Sequence, residues 1–100
     1  MVEIRWLKEA RDDLRDIYDY ISLDSERYAK RQIDKLINRT QILKNQIRVG
    51  KEVEEINTPE IRELIEGNYR IIYRILNENQ VHILMVHHGA RDLIRRIKRE

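Results

Sequence analysis

Apolar and charged residues alternate from the start of the chain. Val2-Glu3-Ile4-Arg5-Trp6 puts every second side chain on one face, the period of a half-buried strand. At Leu7 the period changes. Leu7, Ala10, Leu14, Ile17 and Ile21 recur at steps of three and four, which makes one face of a helix, with Arg11, Asp12, Arg15 and Asp16 elsewhere on the wheel. Asp24 or Ser25 is placed to cap a second helix. The stripe of that helix is Ala29, Ile33, Leu36, Ile37, Thr40 and Leu43. Two amphipathic helices joined by about four residues fold back as an antiparallel hairpin, because each apolar stripe needs a partner.

Residues 45–60 show no period and read as a loop around Gly50 and Pro59. Three strand-like runs follow. The first, Ile61 to Glu66, ends at Gly67-Asn68, a two-residue hairpin turn whose glycine tolerates positive φ. Tyr69-Arg70-Ile71-Ile72-Tyr73-Arg74-Ile75 is rich in β-branched and aromatic residues. Asn77-Glu78-Asn79 turns the chain into Val81-His82-Ile83-Leu84-Met85-Val86-His87, and Arg91 to Arg99 reads as a short helix with Leu93, Ile94 and Ile97 on its apolar side. The order β-α-α-β-β-β-α gives one α+β domain over residues 1–100, a helix hairpin packed on one face of a small antiparallel sheet. The first strand belongs at a sheet edge or beside the last strand.

Strand alternation then sorts side chains by face. Tyr69, Ile71, Tyr73 and Ile75 share one face of the middle strand, and Arg70, Ile72, Arg74 and Leu76 share the other. Burying an unpaired arginine costs several kcal/mol, roughly, so the helices must cover the first set. A two-residue turn pairs Ile65 with Arg70, Glu63 with Ile72 and Ile61 with Arg74. The second face is then expected to stand open, carrying a mixture of Ile61, Glu63, Ile65, Arg70, Ile72 and Arg74 that suits a partner peptide. Against this stands the plain reading that arginines on a free sheet face are merely solvated. Tyr69, Tyr73 and Trp6 read as packing residues.

Composition narrows the function. No cysteine occurs, which excludes disulfides and thiolate metal sites, and no apolar run approaches a membrane span or a signal peptide. A cytoplasmic protein without cofactor is expected. Net charge is only +2, but residues 11–26 lean acidic (Asp12, Asp13, Asp16, Asp19, Asp24, Glu26), whereas 91–99 hold Arg91, Arg95, Arg96, Lys98 and Arg99 against Asp92. The C-terminus is the basic end. His82, His87 and His88 lack carboxylates at ligand spacing, so no metal site is expected. His87 and His88 beside Gly89 are candidate acid-base groups, because histidine titrates near neutral pH.

Three fragments in this order resemble the RelE/ParE toxin superfamily. They are Glu9-Ala10-x-x-Asp13-Leu14-x-x-Ile17-x-x-Tyr20-Ile21, Gly67-x-Tyr69-Arg70-Ile71-Ile72-Tyr73-Arg74-Ile75, and Val86-His87-His88-Gly89-Ala90-Arg91-Asp92-Leu93. The likeness covers nearly the whole chain, with Leu7-Lys8 standing where many relatives place a Thr or Ser cap. It implies a toxin neutralised by an antitoxin, in one of two branches. ParE-like members poison DNA gyrase; RelE-like members cleave mRNA on the ribosome. A nuclease here would use Arg70, Arg91 and His87 or His88. The lysines of such nucleases would fall at Ile61 and Glu63, however, their tail tyrosine would fall near Ile97, and no tyrosine follows Tyr73. Arginine stays charged and transfers protons poorly, and Glu63 would repel a phosphate. The resemblance therefore favours the gyrase branch, with Arg91, Arg95 and Arg96 of the basic C-terminal region as the residues it implies for target binding. The implied antitoxin is an acidic, partly disordered chain that folds over the helix hairpin and the second sheet face, covering Arg70, Ile72 and Arg74.

Overall fold

A computed structural model describes residues 1–98. In chain order it contains β1 (Glu3–Trp6), α1 (Lys8–Ser22), α2 (Glu26–Arg39), a 3₁₀ turn (Thr40–Lys44), β2 (Lys51–Glu52), β3 (Ile61–Glu66), β4 (Tyr69–Asn77), β5 (Gln80–His88) and α3 (Leu93–Lys98). The strands form one sheet in the order β1-β5-β4-β3-β2. The fold is α+β, with the three expected strands forming the antiparallel meander β3-β4-β5. Strand β1 takes both of its expected places at once, at the sheet edge and beside β5, but it runs parallel to β5, unlike the antiparallel sheet expected. The stretch read as a loop contributes β2, two residues paired with Glu63 and Arg62. Arg99 lies outside the described residues. No described helix is long and apolar enough to cross a membrane.

Local chemistry sets the helix ends. Leu7 caps α1 without a side-chain bond, its backbone amide donating instead to Ile83 O at 3.0 Å. Ser25 caps α2, its hydroxyl accepting the Tyr28 amide at 3.1 Å. At the other end the Thr40 hydroxyl donates back to Ile37 O at 2.7 Å, and the α-helix gives way to the 3₁₀ turn. The apolar stripe does not stop there, because Leu43 in the turn is also buried. Ala10 and Ala29 are fully buried, and their small side chains let the two helices approach closely.

The hairpin covers the expected face. Ala10, Leu36 and Leu43 pack on Leu64, Ile71, Tyr73, Ile75, Val81 and Ile83. Burial of an aliphatic side chain of this size stabilises by roughly 1.5–3 kcal/mol, so this layer dominates the fold. Tyr73 has a second task. Its buried hydroxyl donates to Ile47 O at 2.8 Å and accepts the Gly50 amide at 3.0 Å, which satisfies the backbone of the loop leading into β2.

The register of β3 with β4 is the expected one, Ile65 opposite Arg70, Glu63 opposite Ile72 and Ile61 opposite Arg74. The second face is nevertheless not open. Ile72 is 0% exposed and Glu63 3%, because Val53, Ile56, Leu93 and Ile97 pack on Ile72, Met85 and Ile61. The physical reason is the isoleucine content of that face. A register shift at Ile72/Tyr73 adds to it, bringing both Leu84 and Met85 of β5 to the same side. Such a surface is covered by the chain itself, with the segment after β2 on one side and α3 on the other.

Candidate functional site

Arg70 and Arg74 do lie on the face away from the helix hairpin, but their surroundings differ. Arg74 is exposed, whereas the Arg70 side chain is 16% exposed. Glu63 sits diagonally across from Arg70 on β3, and Glu55 reaches it from the segment between β2 and β3. Arg70 donates through Nε to Glu63 at 2.6 Å and through Nη2 to the same carboxylate at 3.0 Å. It also donates to both oxygens of Glu55, each at 2.8 Å. Two bidentate pairs on one guanidinium use four of its five N–H groups. These bonds push the Arg70 pKa up, and the Arg70 bonds hold Glu55 down at about 2, outweighing the effect of its burial.

This corrects the expectation of an open arginine face. The carboxylates that were to come from a partner are supplied by the chain itself. Ile72 is buried beneath Val53 and Leu93, leaving Arg74 as the accessible member of the proposed Arg70, Ile72 and Arg74 set. A hollow of about 470 Å³ opens beside Arg70, with Lys51 and Arg70 opposed there by Glu54, Glu55 and Glu63. Its balance is acidic, the wrong sign for a phosphate.

Arg96 plays a similar internal part at the C-terminal end. It projects from α3 back to α1, donating to Asp13 at 2.7 and 2.9 Å and to Glu9 at 3.1 Å. It also reaches Val86 O and His87 Nδ1, each at 3.4 Å. Asp13 accepts the Val86 amide at 2.8 Å as well. Strand β1 ends opposite Ile83, so the outer edge of β5 beyond it needs other partners, and this pair supplies them. Burial raises the Asp13 pKa, while Asp13 and Glu9 raise Arg96 in spite of its burial. These two shifts point opposite ways for the pair. Geometry favours the ionised form, since both Asp13 oxygens already accept hydrogen bonds and leave no place for a proton.

The two histidines are also engaged. His87, 4% exposed, stands opposite Arg70 on β5, its Nε2 3.0 Å from Arg91 O and its Nδ1 facing Arg96. A carbonyl only accepts and a guanidinium only donates, so the neutral ring with its proton on Nε2 fits both neighbours. His88 packs edge-on against Tyr69 at 5.3 Å, and its Nδ1 accepts the Ala90 amide at 3.1 Å. The four residues suited to nucleolytic chemistry, Arg70, His87, His88 and Arg91, thus fall in one region, with Arg70 and His87 tied into internal contacts.

Arg91, in the turn before α3, and Arg95 on it are, by contrast, exposed, as are Ile94 and Lys98. Leu93, Arg96 and Ile97 face inward and hold the helix down. Asp92 accepts the Arg95 amide at 3.3 Å. Between α1 and α3, over β5, runs a groove of about 1090 Å³. Asp16 lines its acidic wall, Arg91 and Arg95 its basic wall, and Ile17, Tyr20 and Tyr69 present apolar surface within it. Among the described residues no cluster of three or more His, Asp or Glu is placed to hold a metal.

Sequence reasoning missed Glu55, Glu9 and Asp13 as the partners of the half-buried guanidinium groups of Arg70 and Arg96. Glu9 and Asp13 had a signal: they stand four apart on the side of α1 that carries Leu14 and Ile17. Glu55 had none, because its loop has no period.

A family model described as "ParE toxin of type II toxin-antitoxin system, parDE" matches residues 4–93. Comparison with curated protein sequences finds no match. Among solved structures, a chromosomal ParDE toxin-antitoxin system from P. aeruginosa is similar at 22% identity and TM-score 0.72, over 88% of this chain and 96% of that one. The RelBE2 toxin-antitoxin complex from Mycobacterium tuberculosis is similar at 26% identity and TM-score 0.62, over 91% and 97%. With its sheet and helix hairpin spanned by that family match, the chain belongs to the ParE toxin family of type II toxin-antitoxin systems.

Proposed function

We propose that this toxin acts by binding DNA gyrase through the exposed side of α3 and the turn before it, with Arg91 and Arg95 as the contacting residues, and that a cognate antitoxin silences it. One observation carries the reading. The exposed guanidinium groups of the C-terminal region stand outside a helix that Arg96 clasps to α1, whereas Arg70, the arginine a nuclease would need, is neutralised by Glu55 and Glu63. Arg96 changes role in this reading, from a target contact to the residue that positions the other two. Arginines with free donors suit a target that offers carboxylates or phosphates. The antitoxin occupies the groove between α1 and α3, where it covers Tyr20, Tyr69 and Arg91. Occupying Arg91 would withhold it from the target.

The test is a supercoiling assay with purified gyrase, run beside a ribosome cleavage assay. Supercoiling should be inhibited, and Arg91→Ala or Arg95→Ala should weaken inhibition by roughly tenfold, about 1.4 kcal/mol each. The circular dichroism of both variants should match the parent. Codon-specific cuts in ribosome-bound mRNA, with gyrase unaffected, would instead make the chain an mRNA endonuclease using Arg70, Arg91, His87 and His88.

A further inference from the structure

The second helix carries a feature that none of this uses. Arg27, Arg31, Lys35 and Arg39 recur every four residues along α2, and Lys30 stands beside them. Four residues rise about 6 Å on a helix, so these side chains form a ridge. Arg27, Lys30, Arg31 and Lys35 are exposed, and Arg39 turns to donate to Ile65 O at 3.1 Å. Among the described residues none of the four exposed cations has a carboxylate within ion-pair distance. The charge continues past the helix: residues 27–51 hold Arg27, Lys30, Arg31, Lys35, Arg39, Lys44, Arg48 and Lys51 against Asp34 alone. Helix α1, in contact with α2, carries Asp12, Asp13, Asp16 and Asp19. The hairpin is therefore polarised, one helix acidic and the other basic.

Like charges four apart on a helix repel, by roughly 0.2–0.5 kcal/mol for each pair. The fold does not need them, because Ala29, Ile33 and Leu36 hold α2 in place. We propose that this ridge binds the phosphate backbone of duplex DNA, without reading its sequence. An evenly spaced row of mobile cations matches a regular polyanion. An acidic peptide would need apolar anchors among the charges, and the exposed aromatic here, Tyr28, already has the Arg31 guanidinium over its ring at 5.9 Å. A single aromatic on the helix is also too few to stack a run of unpaired RNA bases. This surface is distinct from the one that carries Arg91 and Arg95, and duplex binding there requires no gyrase.

The test measures binding of the purified full chain to a short labelled duplex of arbitrary sequence by fluorescence anisotropy, across roughly 50–200 mM salt. Each phosphate contact contributes about −0.9 to the slope of log K against log salt. The triple variant R27E/R31E/K35E should flatten the slope by about 2.7 and lower affinity more than tenfold at the low-salt end. Should that variant misfold by circular dichroism, the single variants R31Q and K35Q should each flatten it by about 0.9. R91E/R95E should leave the ridge contribution in place. The inference is overturned if the ridge variants keep the parent slope, or if R91E/R95E alone removes binding. It is equally overturned if single-stranded RNA binds the ridge more tightly than duplex, or if a polyglutamate peptide binds it and duplex does not. No gyrase is present, so this result and the supercoiling result stand or fall separately.

Discussion

Arg70 shows how one side chain can decide what a surface is for. Glu63 beneath it is almost fully buried, so Arg70→Ala would leave a carboxylate without a counter-charge and cost about 3–5 kcal/mol in a urea melt. Glu55→Gln should cost clearly less, since Glu55 retains solvent contact and Arg70 keeps Glu63. Glu55 also gives the pair a pH signature. Its folded value of about 2 lies below its ordinary 4.5. A group depressed on folding contributes stability above its unfolded pKa and loses it as pH falls through the folded one. Between about pH 4.5 and 2 the parent should therefore lose stability more steeply than Glu55→Gln. Equal slopes would mean that the Arg70–Glu55 contact does not persist in solution.

At the scale of elements, α3 and the loop before β2 illustrate two ways of holding a segment that cannot hold itself. A helix of six residues has no stability of its own, so α3 depends on Leu93 and Ile97 below it and on the Arg96 clasp to Asp13. Arg96→Ala should cost about 1–3 kcal/mol and raise amide exchange in α3 above that of β5. Arg91→Ala, at an exposed position, should change stability by less than about 0.5 kcal/mol. The contrast separates the residue that places the helix from one that uses it. The loop is held through Tyr73, and here Gly50 has no space to spare. A Cβ on Gly50 would lie 2.7 Å from Glu63 O and 2.7 Å from the Tyr73 hydroxyl, so Gly50→Ala should destabilise by about 1–3 kcal/mol. Gly67 in the β3–β4 turn is a different case. Its φ is +58° with open space around it, so Gly67→Asn should be tolerated where Gly67→Val is not.

The whole molecule is a sheet with two unequal cores. The larger lies under the helix hairpin and the smaller under α3 and the segment around Val53. A chain ending at Asp92 would strip Leu93 and Ile97 from Ile72 and Met85. It should bind a hydrophobic dye and unfold at lower urea than the parent. Loss of toxicity in such a truncation would therefore say nothing about target contacts, and the point variants at Arg91 and Arg95 are the discriminating ones. Charge is also divided at this scale, with acid along α1 and base along α2 and α3.

Period and turn chemistry alone determined the helix hairpin, the meander and its register. Each follows from short-range rules: Leu14 and Ile17 share a face because helices turn every 3.6 residues, and Gly67-Asn68 pairs Ile65 with Arg70 because a tight turn leaves no other choice. The resemblance carried by Tyr69 to Ile75 and by His87 to Leu93 was legible for the same reason, being local in the chain. The parallel β1–β5 pairing, the cover over Ile72 and the partners of Arg70 and Arg96 were decided only in three dimensions. Glu55 and Arg70 are fifteen residues apart, and Asp13 and Arg96 eighty-three. No periodicity links such residues. They meet because burying a guanidinium requires a carboxylate beside it, whichever part of the chain can bring one.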